Sequence, residues 1–255
     1  MRFVIYLLSG FYGIFCMWCN FATVEALIGE NVRSAGESEF PFIVAIIKTI
    51  YENNMQRNYK CAGTLISRKD VLTSEHCLTS EYLARIHVLV GSSYLNRTVR
   101  HYPLWWTTYD QWAVYSFRDL EFPTNDIGIL NLLEHVPDSL QPAHIAICTI
   151  TSLYGAEVQV SGWGYIRNRE SPNILQTATV TATKKEICEL RASRIAGQNL
   201  VMDERTICSI SNPYVLLTNG DSGGPLLHMN LIVGVNHGVS PLLSNDFNSE
   251  EILWH

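Results

Sequence analysis

A glycine-rich run near the end of the chain holds a serine whose surroundings suit nucleophilic chemistry. The run spans Gly220 to Pro225 and reads Gly-Asp-Ser-Gly-Gly-Pro, with Ser222 at its centre. A serine hydroxyl is a poor nucleophile unless an adjacent base takes its proton. Glycines allow a sharp turn and let backbone N–H groups approach a substrate carbonyl, where they stabilise the oxyanion formed in acyl transfer. A bare Gly-x-Ser-x-Gly is common in ordinary turns, but the six-residue run is far more specific.

Further motifs accompany the serine run in a fixed order. They are Val71-Leu72-Thr73-Ser74-Glu75-His76-Cys77, Asn125-Asp126-Ile127-Gly128-Ile129-Leu130 and Ser161-Gly162-Trp163-Gly164. Together with the serine run they resemble the landmarks of the chymotrypsin-like (trypsin family) serine proteases. Leu27-Ile28-Gly29-Glu30 and Phe40-Pro41-Phe42 resemble the start of that family's mature enzymes, so the likeness covers about residues 27 to 238.

The resemblance implies a serine endopeptidase with the triad His76, Asp126 and Ser222. His76 would take the proton of Ser222 and return it to the leaving amine, while Asp126 would hold His76 in the right tautomer. The backbone N–H groups of Gly220 and Ser222 would form the oxyanion hole. The implied fold is all-β, with two antiparallel six-stranded Greek-key barrels, a short C-terminal helix and the active site between the barrels.

The sequence pattern predicts that these residues are carried by many short strands. Val-, Ile-, Leu- and Thr-rich runs separated by turn signals favour an all-β sandwich or barrel and argue against a parallel α/β fold. Helices are expected from Lys184 to about Ile195, with Thr183 as cap, and from Ser249 to Trp254. Turn residues cluster near 134–142. We therefore expect an N-terminal barrel over 27–142 and a C-terminal barrel over 143–255.

The first 26 residues have the pattern of a secretory signal. Arg2 precedes an apolar run that ends near Trp18, and small residues lead up to Ala26. The run is shorter than a membrane span requires, although an N-terminal anchor remains the alternative. Asn96-Arg97-Thr98 is a glycosylation sequon, which suits a secreted chain. The net charge of −6 argues against nucleic acid as a partner.

Removal of the signal leaves five cysteines, which is an odd number. The resemblance implies the disulfides Cys61–Cys77 and Cys188–Cys208 and leaves Cys148 over. Two of the family's other disulfides are missing as whole pairs: Val158 and His228 replace one pair, and Thr218 stands where another would begin. No two of these cysteines have a Cys-x-x-Cys spacing, so neither a metal nor a cofactor is expected.

Activation in the family depends on a free N-terminus. Its ammonium pairs with the aspartate before the nucleophile, which here implies a Leu27–Asp221 ion pair. No basic residue lies just before Leu27. Signal cleavage after Ala26 would therefore create the active terminus without a zymogen, unless the activation switch has decayed.

The substrate pocket departs from that of the trypsin-like members. Leu216 stands six residues before Ser222, where those members have Asp, and a buried Leu cannot pair a cationic side chain. We expect apolar or aromatic specificity, with Gly238 in the pocket wall. Asn236 and His237 stand where the family has Ser and Trp, and we expect Asn236 to donate the hydrogen bond that the family's Ser gives to the triad aspartate.

Other departures concern the surroundings of the triad. Glu75 replaces a small residue beside His76 and would perturb it. The strand that closes the pocket is not recognisable after Gly238. The aromatic stretch from Trp105 to Phe117 is expected to pack against the first barrel, with a substrate subsite as the alternative.

Two other functions fit parts of the sequence. A catalytically impaired homologue that binds a partner would explain the altered cleft. An α/β-hydrolase esterase would need the order Ser, acid, His, for which the tail after Ser222 is too short. The expected partners of the leading interpretation are a protein or peptide substrate and protein inhibitors. We expect a secreted monomer, without nucleic acid and without a membrane once the signal is cleaved.

Overall fold

A computed structural model describes residues 27–51, 54–120, 125–165, 170–240 and 252–254. The expected signal at residues 1–26 lies outside them. In chain order the strands are β1 (Ile28–Gly29), β2 (Arg33–Ser34), β3 (Ile43–Lys48), β4 (Tyr59–Leu65), β5 (Asp70–Thr73), β6 (Ile86–Val90), β7 (Val99–His101), β8 (Pro103–Thr108), β9 (Gly128–Leu132), β10 (His144–Ile145), β11 (Glu157–Gly162), β12 (Gln176–Thr183), β13 (Cys208–Ile210), β14 (Val215–Leu216), β15 (Pro225–His228), β16 (Leu231–Val235), β17 (Gly238–Ser240) and β18 (Ile252–Trp254). The helices are α1 (Met55–Asn58), α2 (Glu75–Leu78), α3 (Tyr109–Tyr115) and α4 (Lys185–Ala196).

The first sheet is antiparallel and has the order β7-β6-β3-β4-β5-β9-β8. Buried residues are continuous along β3 and alternate along β9. One face of the sheet buries its own hydrophobic core. That core includes Val44, Ile46, Leu65, Val71, Val88, Leu130 and Leu132. Pairing of β5 with β9 sets Thr73 opposite Gly128. The chain therefore leaves β5 after Thr73 and enters β9 before Gly128 at the same end of these two strands.

The second sheet follows the order β10-β16-β15-β11-β12-β13-β18-β17, with β2 also paired to β12. Its core includes Leu27, Val158, Val160, Val180, Val215 and Leu226. The small sheet of β1 and β14 pairs Ile28 with Leu216. Residues 28–34, which the sequence analysis assigned to the first barrel, thus pair with strands of the C-terminal half, because their backbone groups find partners there.

A third cluster fills the space between the two sheets. It draws on both halves of the chain and includes Phe40, Tyr59, Leu89, Trp163, Leu175 and Leu227. Beside it, two segments form a seam: Leu95 N donates to Asn173 O at 2.8 Å, and Leu175 N donates to Ser93 O at 2.8 Å. Asn96 N donates to Asn173 Oδ1, and Asn173 Nδ2 donates to Asn96 Oδ1, each at 3.1 Å.

Two local predictions need correction. The long helix is present as α4, but its N-cap is Lys184, not Thr183, which ends β12. A C-terminal helix is expected over 249–254, but the described residues 252–254 form the strand β18 instead. That strand pairs with both β13 and β17, so tertiary pairing overrides the local helical preference. β18 is also the partner strand after Gly238 that the sequence did not reveal.

The structure contains the disulfides Cys61–Cys77 and Cys188–Cys208, the pairs that the resemblance implied. Cys148 is a free, exposed thiol. Where a further family disulfide is missing, Val158 is buried in the second core and His228 Nδ1 donates to Glu157 O at 2.9 Å. No helix of the described residues has the length and apolarity needed to cross a membrane.

Candidate active site

His76 is carried by the short helix α2, which follows β5 directly. The helix is fixed at both ends. Ser74, its buried N-cap, donates its hydroxyl to Asn236 O at 3.0 Å, and Cys77 is joined to Cys61 in β4. The imidazole itself stands at the surface, with 48% of the side chain exposed. A rigid base thus carries a solvent-accessible histidine.

Asp126 meets His76 at the shared end of β5 and β9, as the antiparallel pairing of these strands requires. His76 Nδ1 lies 2.6 Å from Asp126 Oδ2, and His76 N donates to Asp126 Oδ1 at 2.8 Å. Burial acts to raise the pKa of the Asp126 carboxyl, but hydrogen bonds from His237 and His76 outweigh it and hold the pKa well below its ordinary value. An ionised carboxylate only accepts, so His76 must donate its Nδ1–H. Its Nε2 is then free to act as a base.

The nucleophile loop lies between β14 and β15 and packs its backbone against the first sheet. Ala62 N in β4 donates to Ser222 O at 3.0 Å, and Cys77 Sγ lies 3.8 Å from the same oxygen. Gly223 has a φ of +79°, and a Cβ there would lie 2.1 Å from Thr73 Oγ1. Glycine is therefore required at 223 both by backbone conformation and by the close approach of β5.

Gly220 is held by a tyrosine from the first sheet. Tyr59, at the start of β4, donates its hydroxyl to Gly220 O at 2.8 Å. Burial raises the pKa of the Tyr59 hydroxyl well above its ordinary value, so it remains a donor. This bond fixes the peptide group of Gly220, whose φ is +102°.

The structure brings the three predicted triad residues to one place but does not join all of them. Within the described residues His76 bonds to Asp126, whereas Ser222 Oγ makes no hydrogen bond to His76. Bonds of this kind are often long in the absence of substrate and tighten when it binds. His76 and Asp126 are thus bonded to each other, and Ser222 lies on the adjoining loop.

Asp221 is fully buried beneath the nucleophile. Its Oδ1 accepts from Gly164 N at 2.8 Å and its Oδ2 from Thr218 N at 2.7 Å. Burial raises the pKa of the Asp221 carboxyl to about 6, although the hydrogen bonds from Thr218 and Gly164 oppose the rise. Leu27, the expected partner, is completely buried in the second core.

The segment between β16 and β17 carries Asn236 and His237. Asn236 is 1% exposed and is held by the nucleophile loop: its N–H donates to Gly224 O at 2.8 Å, and its C=O accepts from Gly223 N at 2.9 Å. His237 reaches the aspartate, with Nδ1 2.6 Å from Asp126 Oδ2. The register set by the two backbone bonds of Asn236 brings His237 there, and the motif alone does not show that register. The expected hydrogen bond of Asn236 to Asp126 stays a prediction.

Leu216 is buried, as expected, and lies where β14 pairs with β1. Gly238 has no atom within 4 Å of an added Cβ. Glu75 does not point its charge at His76, because Glu75 Oε2 accepts from Asp110 N at 3.3 Å. The aromatic stretch is largely exposed, including 99% of Phe117, so the expected packing against the first barrel is wrong for that residue.

Comparison with known proteins decides the family. The model of the trypsin family matches residues 30–245. The chain belongs to the trypsin family. Trypsin theta of Drosophila erecta is 31% identical over 185 residues, which are 71% of this chain and 67% of that protein. Trypsin, alkaline C of Manduca sexta is 28% identical over 234 residues, which are 85% of this chain and 84% of that protein.

Solved structures agree on the fold. Neuropsin, a serine protease of mouse brain, superposes with a TM-score of 0.65 at 19% identity, covering 87% of this chain and 92% of that one. The VesB protease of Vibrio cholerae gives 0.64 at 22% identity, covering 89% and 64%. The two sheets are thus the two barrels of the trypsin fold, and the chemistry of the trypsin family is that of a serine endopeptidase.

Proposed function

We propose that this chain cleaves peptide bonds through an acyl-enzyme on Ser222, with His76 as general base and Asp126 as its orienting acid. The observation that carries the proposal is the bond of His76 Nδ1 to Asp126 Oδ2, which leaves Nε2 available on the side of the nucleophile loop. The N–H groups of Gly220 and Ser222 serve as the oxyanion hole, which supplies much of the rate enhancement in acyl transfer.

The specificity proposed is for apolar or aromatic side chains. Leu216 is the residue expected at the floor of the pocket, and it is an uncharged, buried side chain in β14. A lysine or arginine side chain brought against it would lose its hydration without gaining a partner. A peptide library should therefore show cleavage after apolar and aromatic residues, and dominant cleavage after Lys or Arg would contradict the proposal.

We further propose that the protein is secreted and becomes active when signal cleavage frees Leu27. A buried carboxylate without a cation is costly, and the Asp221 carboxyl has its pKa raised to about 6 by burial. An ammonium at Leu27 would supply the opposite charge. N-terminal sequencing of the secreted protein should begin at Leu27, and any other start would remove this part of the proposal.

The second candidate is an impaired homologue that acts by binding a partner. The observation in its favour is that His237 also bonds to the oxygen of Asp126 that orients His76, so the two imidazoles share one acceptor. A partly diverted aspartate would weaken the orientation of His76.

A fluorophosphonate probe separates the two candidates, because it reacts only with an activated serine. We expect labelling of the purified chain starting at Leu27, loss of labelling in Ser222→Ala and retained labelling in Ser193→Ala, whose hydroxyl lies in α4. Absence of labelling in a folded wild-type protein would favour the impaired homologue.

A further inference from the structure

The cluster formed by His76, Asp126 and His237 has a composition that the catalytic triad does not require. Two imidazoles and one carboxylate converge from separate elements: α2, the segment before β9 and the segment after β16. One ligand atom from each lies within 4.8 Å of the other two. These are the nitrogen and oxygen donors that Zn²⁺ takes in proteins, in the His₂-carboxylate combination found at open zinc sites.

We propose that these three side chains form a binding site for Zn²⁺, with His76 Nδ1, His237 Nδ1 and Asp126 Oδ2 as ligands. Both nitrogens already approach the same oxygen, at 2.6 Å each. Tetrahedral zinc with bonds of about 2.0–2.1 Å separates its ligand atoms by about 3.3 Å. Each ring therefore needs to withdraw by about 0.7 Å, which two half-exposed side chains can do by rotation.

The surroundings favour this position. Asp126 Oδ1 is held by His76 N at 2.8 Å, so Oδ2 keeps its direction when the rings move. His76 and His237 are each 48% exposed, which leaves the fourth zinc position open to water. Among the described residues a second ligand group, Cys61, His76 and Cys77, also comes together, but the disulfide between its cysteines removes the thiolates that zinc would need.

Zinc at this site would stop catalysis, a consequence that rests on the proposed function, whereas the binding itself does not. A neutral imidazole that coordinates through Nδ1 carries its single proton on Nε2. In His76 that proton shifts from Nδ1 to Nε2 through solvent, and Nε2 can then no longer accept the proton of Ser222. The site would therefore make the enzyme reversibly inhibited by zinc.

Calorimetry with zinc sulfate on the chain starting at Leu27 tests the binding. We expect one site in the wild type that is weakened at least about tenfold in His237→Gln, since an amide replaces an imidazole ligand. His144→Gln is the matched control, because His144 is an exposed histidine of β10. Thermal unfolding without zinc checks that His237→Gln is folded. Equal zinc binding by the wild type and a folded His237→Gln would overturn the proposal.

Fluorophosphonate labelling in the presence and absence of zinc adds the second measurement. We expect zinc to slow labelling of Ser222 in the wild type and in His144→Gln, and to leave His237→Gln unaffected. Rapid labelling of a zinc-saturated wild type would overturn the inhibitory role. If the wild type is not labelled even without zinc but loses a zinc site on His237→Gln substitution, the proposed function fails and the metal site stands.

Discussion

His76 and Asp126 come from the first barrel, where the His76 imidazole is 48% exposed and the Asp126 side chain 13% exposed. Asp221 and the backbone around Ser222 come from the second barrel, and Asp221 is fully buried. The first pair is joined by charge-assisted hydrogen bonds. In the second group, the backbone N–H groups of Gly164 and Thr218 donate to the Asp221 carboxylate, which is fully buried. One half of the site is open to solvent ions and protons, and the other half depends on the fold.

The two halves should therefore differ in what a substitution changes. Substitutions in the first half should change rate with little change in stability, because its two imidazoles face solvent, which replaces their lost contacts. Changes in the buried half should change stability and rate together, since an unpartnered polar group costs free energy.

Asp126→Asn should cause the largest loss of activity. The amide can no longer accept from both imidazoles or fix the His76 tautomer, and loss of the correct tautomer in a Ser-His-Asp triad lowers kcat about 10⁴-fold. We expect a loss of that order in initial rates on an apolar peptide substrate, with a shift of only a few degrees in Tm. A large loss of stability with little change in rate would reverse the proposed contrast.

Asp221 should make stability depend on pH before the N-terminus is freed. Its pKa in the folded state is raised to about 6 from 3.8, so protonation favours the folded state. A chain with a short extension before Leu27 should therefore lose about 3 kcal/mol of stability as pH rises from about 4 to about 6. The lowered pKa of Asp126 changes the stability only below this pH range. The raised pKa of His237 changes it only above the ordinary pKa of histidine.

Urea unfolding across that pH range measures the effect. The chain starting at Leu27 should lack the loss, because its ammonium pairs with the ionised carboxylate. Asp221→Asn in the extended chain should also lack it. A loss of equal size in both the extended and the processed chain would show that the Leu27 ammonium does not reach Asp221.

Tyr59→Phe should have an intermediate effect on both rate and stability. It removes the bond of the phenol to Gly220 O and leaves a buried carbonyl with one partner fewer, at a cost of about 1–3 kcal/mol. We expect kcat to fall about tenfold with little change in KM, since the oxyanion hole acts in the transition state. Tyr94→Phe serves as control because Tyr94 is a half-buried tyrosine whose ring lies under the Arg97 guanidinium, away from Gly220; an equal effect there would remove the assigned role.

Glu75→Gln should have the smallest effect. The carboxylate accepts from Asp110 N at the start of α3, and glutamine can accept the same bond through its amide oxygen. We expect a rate within about twofold of the wild type, because the hydrogen bond to the backbone is kept. A tenfold gain in kcat would restore the initial expectation that Glu75 disturbs His76.

The sequence predicted the parts of the site that depend on residue type and failed where register decides. The meeting of His76 with Asp126 could be expected because their motifs combine a reactive side chain with the glycines and disulfide around it. The contact of His237 with Asp126 could not, because it depends on how Asn236 pairs with Gly223 and Gly224. In the same way β18 was expected to be helical, since three residues carry little local signal and only β13 and β17 define them as a strand.

The paired amides of Asn96 and Asn173 bear on where a sugar chain can be attached. In the seam between the barrels Asn96 uses its backbone N–H and its Oδ1, whereas N-glycosylation takes place at Nδ2. A glycan could therefore be added without breaking the contacts that hold the barrels together. The oligosaccharide would stand over the junction between the two domains, where it would shield that line from other proteases.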